Sequence, residues 1–201
     1  YQGTVTEMRD VLYKWIMEHR DIGLLHEAEM MIRSKGSSPY QIDDILEAAN
    51  LCGHPGTTLD EILPFLDHSD SGVRYWAVLS IQAMGEEGRP AIGVLRQSMK
   101  DESPSVAIAS AELLCQYGLY DEALPVLGRY LGDEENPTVV LQAAISIRKL
   151  GEKALPIIPV IEEVYPGYRG EVWDRYRDWV YPMFIGFALD QTYLNCGLEL
   201  P

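Results

Sequence analysis

The chain has 201 residues, 47% of them hydrophobic, and a formal net charge of −15. That length can bury a substantial core, and no apolar run is long enough to cross a bilayer as a helix. An acidic chain without clustered Lys and Arg argues against nucleic acid or an anionic membrane as partner, because both repel it.

The opening Tyr-Gln-Gly-Thr lacks the basic region and apolar block of a secretory signal. With no Met at its head, the chain is compatible with a fragment whose targeting signal, if any, lies upstream. Thr4 and Glu7 have capping-box spacing, and Met8, Val11, Leu12 and Trp15 follow at helical intervals, predicting an amphipathic helix to about Arg20. Asp21-Ile-Gly23 is a stop, Leu24 to Arg33 a second helical stretch, and Lys35-Gly36 a turn. Ser38-Pro39 opens a helix that closes at Cys52-Gly53, and Thr57 or Thr58 caps another over Leu59–Leu66.

From Asp70 to Gly151 one helix is written three times. Asp70, Ser103 and Asn136 are each 33 residues apart, as are Val73, Val106 and Val139, and Gly85, Gly118 and Gly151. A capping residue, an apolar helix and a closing Gly are the start and stop signals of an α-helix. Shorter partner helices lie between the copies, over Ala91–Met99, Asp121–Leu131 and Lys153–Val164. Each unit is then a helical hairpin, helix A followed by helix B, that buries its apolar stripe only by stacking on neighbours. The prediction is an all-α fold: an α-solenoid of about four hairpins over 37–164, a helical lead-in over 1–36, and an atypical C-terminal cap over 165–201. In the cap, Glu171–Tyr181 reads as an aromatic helix stopped or kinked by Pro182, and Met183–Asp190 as one more short helix.

With Val73, Ala77, Ile81 and Met84 facing the core, Tyr75, Leu79 and Gln82 fall on the opposite side of helix B. The matching positions are Ile108, Glu112 and Cys115, then Leu141, Ile145 and Arg148. Large apolar residues on a nominally solvated face suggest a docking strip made of Tyr75, Leu79, Ile108, Glu112, Leu141, Ile145 and Arg148. The alternative is that neighbours or residues 1–35 shield them. In the cap, Arg169, Arg175 and Arg177 interleave with Trp173 and Tyr176; such a cluster suits a sulfated glycan, or simply the end of a solenoid.

Cys52, Cys115 and Cys196 have no paired spacing and read as structural thiols. His19, His26, His54 and His68 form no metal-ligand motif, and Asp67-His68-Ser-Asp70 lacks the rest of a calcium loop. No residue is named as catalytic, metal-binding or cofactor-binding.

The Leu-Pro of the A helices, the acidic turns at Asp67, Asp101 and Asp133, and the Val that follows in helix B resemble HEAT repeats, in particular those of bilin lyases, over about Pro39–Val164. The run Leu12-x-x-Trp15…Arg20-Asp21-x-Gly23-Leu24-Leu25-x-Glu27-Ala28-Glu29-Met30 is similar to the end of the catalytic region in bacterial sulfatases of the alkaline-phosphatase-like superfamily, including heparan-N-sulfatase-like members. Some of those carry HEAT-like repeats after that point. The sulfatase nucleophile motif, C/S-x-P-x-R, is not present, so the resemblance implies a non-catalytic appendage of an enzyme acting on sulfated glycans in the periplasm or outside the cell. Its partner would be its own upstream catalytic domain or another protein, with homo-oligomers also open. A free-standing adaptor is the alternative, and an accessory to tetrapyrrole chemistry a third reading.

Overall fold

The computed structural model describes residues 1–36, 40–133, 135–168 and 180–201. The helices are α1 (Gln2–His19), α2 (Glu27–Ser34), α3 (Ile42–Leu51), α4 (Leu59–Ile62), α5 (Ser71–Ala83), α6 (Ile92–Ser98), α7 (Pro104–Gln116), α8 (Tyr120–Leu131), α9 (Pro137–Arg148), α10 (Ile158–Val164) and α11 (Val180–Asn195). Tight 3-10 segments precede or extend several of them, and no strand occurs among the described residues.

The repeated helices stack in one layer, α3 on α5, α5 on α7, α7 on α9 and α9 on α11. The shorter segments form the second layer: α4 with Leu63–Asp67, Gly85–Ala91 with α6, α8, and Gly151–Ile157 with α10. The fold is an all-α solenoid. Each repeat ends as its sequence dictates, with Gly85, Gly118 and Gly151 at φ of 59°, 87° and 59°. A side chain is strained there, which is why glycine holds the position. Pro104 and Pro137 stand in the first turn of α7 and α9, where no N–H is needed. The core between the layers is apolar and continuous, from Ile62 and Ile81 through Leu113, Leu127 and Ile147 to Ile185.

Several local expectations differ. α1 begins at Gln2, so Thr4 lies inside its first turn and its spacing to Glu7 is not used as a cap. The helix expected from Ser38-Pro39 starts at Ile42, with Tyr40 outside it; Ser38 and Pro39 lie outside the described residues. α11 runs unbroken to Asn195, because Pro182 falls in its first turn, where a proline costs no hydrogen bond. Ile185, Ala188, Leu189 and Tyr193 are buried, so α11, packed on α9, adds another member to the repeated layer. The aromatic helix expected over 171–181 falls almost entirely outside the described residues.

Candidate interaction surface

The exposed side of the repeated layer is not bare. α2 lies on it, packed against α7 and α9, with Ala28 fully buried. The row of residues at the heads of the repeated helices meets α2 in turn. Arg33 gives two hydrogen bonds to Asp70, at 2.6 and 3.0 Å, and one to Glu29 at 2.8 Å. Glu29 also accepts the hydroxyls of Ser71 and Ser103, the latter at 2.8 Å, and Lys35 reaches the Asn136 side-chain carbonyl at 3.2 Å. Ser103 and Asn136 therefore do not cap their helices through side chains; only Asp70 does, accepting the Gly72 N–H at 2.7 Å. Burial alone would raise the Asp70 pKa, but the hydrogen bonds and charge of Arg33 outweigh it and hold the carboxyl below its usual value.

Beside α2 the same surface opens into a cavity of about 90 Å³, built from α5, α7, α9 and the residue that caps α2. Tyr75 and Leu79 come from α5, Glu112 from α7, and Ile145, Ser146 and Lys149 from α9 and its end. Its centre is Glu112, whose side chain is only 8% exposed. A buried carboxylate has to be hydrogen-bonded, and this one accepts from Ser146 at 2.6 Å, Lys149 at 2.8 and 3.1 Å, Gln116 at 3.3 Å and Gln82 at 3.4 Å. Gln142, buried at the same site, spends its Nε2 on the Ser105 carbonyl at 3.1 Å and leaves Oε1 without a partner.

Two rings flank the carboxylate. His26 packs against Tyr75 with centroids 5.5 Å apart. Its Nδ1 accepts the Ala28 N–H, and burial lowers its pKa, so the imidazole is neutral with the proton on Nε2. Burial and Glu112 push the Tyr75 phenol up to about 12. Behind the site the Cys115 thiol, fully buried, is likewise pushed up to about 12 by burial and then by Glu112. That leaves it protonated and inert.

Of the residues predicted for a docking strip, Tyr75, Leu79, Glu112 and Ile145 converge on this cavity. Ile108 does not reach the surface, because close stacking of α5, α7 and α9 buries it completely. Glu112, at 6% exposure, acts inside the cavity and not on an open face. Leu141 is half-buried and Arg148 exposed, both outside the cavity lining. Arg169, Trp173, Arg175, Tyr176 and Arg177 lie outside the described residues. His26, Gln142, Ser146 and Lys149 were not foreseen. A signal did exist for Gln142, which is polar at a register where the preceding copies carry Trp76 and Ala109.

Two other concavities are apolar. A groove of about 540 Å³ runs between α8 and the Gly151–Val164 segment, floored by Leu124, Ile157 and Val160. The second lies along α1, where Met8, Val11, Leu12 and Trp15 are exposed.

Residues 92–158, from α6 to the start of α10, match the family model described as HEAT repeats. The chain carries a HEAT-like repeat domain. That stretch is about a third of the chain and holds two of the three helices that build the cavity. No curated protein and no solved structure matches the chain. No described helix is long and apolar enough to cross a membrane.

Proposed function

We propose that this is a non-catalytic repeat domain that binds a partner polypeptide on the exposed side of its repeated helices, at the cavity beside α2. The supporting observation is the convergence of Tyr75, Leu79 and Ile145, each half-buried, around a buried carboxylate. The lining is mainly polar, with Gln82, Glu112, Gln142 and Lys149 beside the aliphatic Leu79 and Ile145, so that placed polar groups set what it recognises. A HEAT-like array supports the same reading, since such solenoids offer long surfaces built from successive repeats. Glu112 is already satisfied by four side chains, which favours recognition over acid–base work. Any polypeptide captured by the wild-type chain should be lost by Leu79→Ala and Ile145→Ala, while both variants keep the wild-type circular-dichroism spectrum. Undiminished association of both variants would refute this surface.

The finer assignment, an appendage of a sulfatase acting on sulfated glycans, rests on the Leu12–Met30 run. That run spans α1 and α2, and the exposed Leu12 and Trp15 of α1 are where a preceding catalytic domain would pack. Sequencing the reading frame upstream of Tyr1 tests it. A domain with C/S-x-P-x-R supports the appendage, and an unrelated one leaves the adaptor reading.

A further inference from the structure

The cavity beside α2 is asymmetric in charge and in hydrogen-bonding capacity. Its buried part presents the Glu112 carboxylate, and Gln142, whose Oε1 is buried without a partner, is among the lining residues. Its full positive charge comes from Lys149, whose side chain is 51% exposed and reaches in from the rim. His26 adds no charge, since its Nδ1 is committed to the Ala28 N–H. The Lys149 ammonium, bonded to both oxygens of Glu112, shows that an alkylammonium head fits there. The cavity, of about 90 Å³, has room for more than one water.

We infer that this cavity receives a basic side chain, the ammonium of a lysine or the guanidinium of an arginine presented by a partner polypeptide, with Glu112 as counter-ion and Lys149 as the native occupant that it displaces. The inference rests on the partner-binding reading above and names what that partner offers. A guest cation arriving from outside gains a charge-assisted bond to Glu112. Leu79 and Ile145 cover the alkyl stem, and Tyr75 supplies an aromatic wall that also favours a cation. The freed Lys149 side chain returns to water at little cost, being half in solvent already. The acidic chain, at −15, draws a basic partner from a distance.

The experiment is a titration of the full chain with N-acetyl-lysine-methylamide and N-acetyl-arginine-methylamide, followed by NMR shifts of the Leu79 and Ile145 methyl groups. The uncharged norleucine analogue and spermidine are run alongside. Binding of the two basic probes should tighten about tenfold in Lys149→Met and weaken about tenfold in Glu112→Gln. Lys149→Met alters a rim residue and keeps the test decisive should Glu112→Gln fail to fold. Equal binding of the norleucine analogue, no binding of the basic probes in either wild type or Lys149→Met, or no gain in Lys149→Met would each overturn the inference. Binding of spermidine without the amino-acid probes would overturn the assignment to a polypeptide. If the probes fail while Ile145→Ala still loses its protein partner, the cation assignment falls and the partner-binding reading stands.

Discussion

Arg33 divides its guanidinium between Glu29, one turn back on its own helix, and Asp70 at the head of α5. All three side chains are about nine-tenths buried, so the pairing cannot be treated as a surface ion pair. Removing one member leaves buried charge uncompensated, at a cost of about 3–5 kcal/mol. Arg33→Ala should therefore lower the urea midpoint of unfolding by an amount equivalent to about 3 kcal/mol, more than any exposed Arg→Ala control. The pair also sets an acid limit. The Asp70 pKa is depressed in the folded chain, so its stabilisation is complete above the ordinary carboxylate value and is lost as pH falls through the folded one. Hydrogen-exchange protection of the α2 amides should hold at pH 6 and fall away below about pH 4. Protection unchanged at pH 3 would mean that α2 is held by Ala28 burial and not by this pair.

At the level of elements, glycines separate packing from propensity. A Cβ on Gly88 would lie 2.6 Å from both the Ile81 carbonyl and the Tyr117 hydroxyl, whereas one on Gly93, within α6, meets nothing within 4 Å. Gly88→Ala should destabilise by about 1–3 kcal/mol through overpacking. Gly93→Ala should stabilise by about 0.5–1 kcal/mol through helix propensity. Opposite shifts in thermal midpoint check the pair of them. α1 is a different case, since Ile16 is its only buried residue among those whose side chains are described. Deleting residues 1–15 should leave the thermal midpoint within a few degrees of wild type. By contrast, Trp76 donates to the Leu24 carbonyl at 2.6 Å and Ala28 joins the main core, so deleting residues 1–36 should lower it markedly. Equal midpoints for the two deletions would show that α2 adds nothing to the array.

For the whole molecule, stability comes from the stacking of each unit on the next. Arg74 shows the coupling: it leaves α5 to bind Asp101, in the turn before α7, with two hydrogen bonds of 2.7 Å. Leu127, fully buried in α8 between α7 and α9, should cost about 2–5 kcal/mol when cut to alanine. Amide protection in such a variant should fall most in α7–α9 and least in α3. A uniform loss would show that the array unfolds as one unit.

The 33-residue period, the left-handed glycines and the apolar side of each repeated helix were legible in the sequence. They depend on local chemistry: a glycine where φ is positive, a proline where no N–H is needed, and a 3.6-residue apolar spacing. Periodicity alone was enough to place α5, α7 and α9 side by side. It could not show that α2 folds back onto them, because Glu29 meets Ser103 and Lys35 meets Asn136 across 74 and 101 residues of chain. Ser103 and Asn136 carry side chains suited to capping, and their use by α2 was decided by which helix lay above them. The same holds for the exposed stripe: a helical wheel assigns a direction to Ile108 and Glu112, but only the stacking of neighbouring helices decided how much water reaches them. The cavity is built from three repeats and a foreign helix cap, so it came into being only when those elements packed.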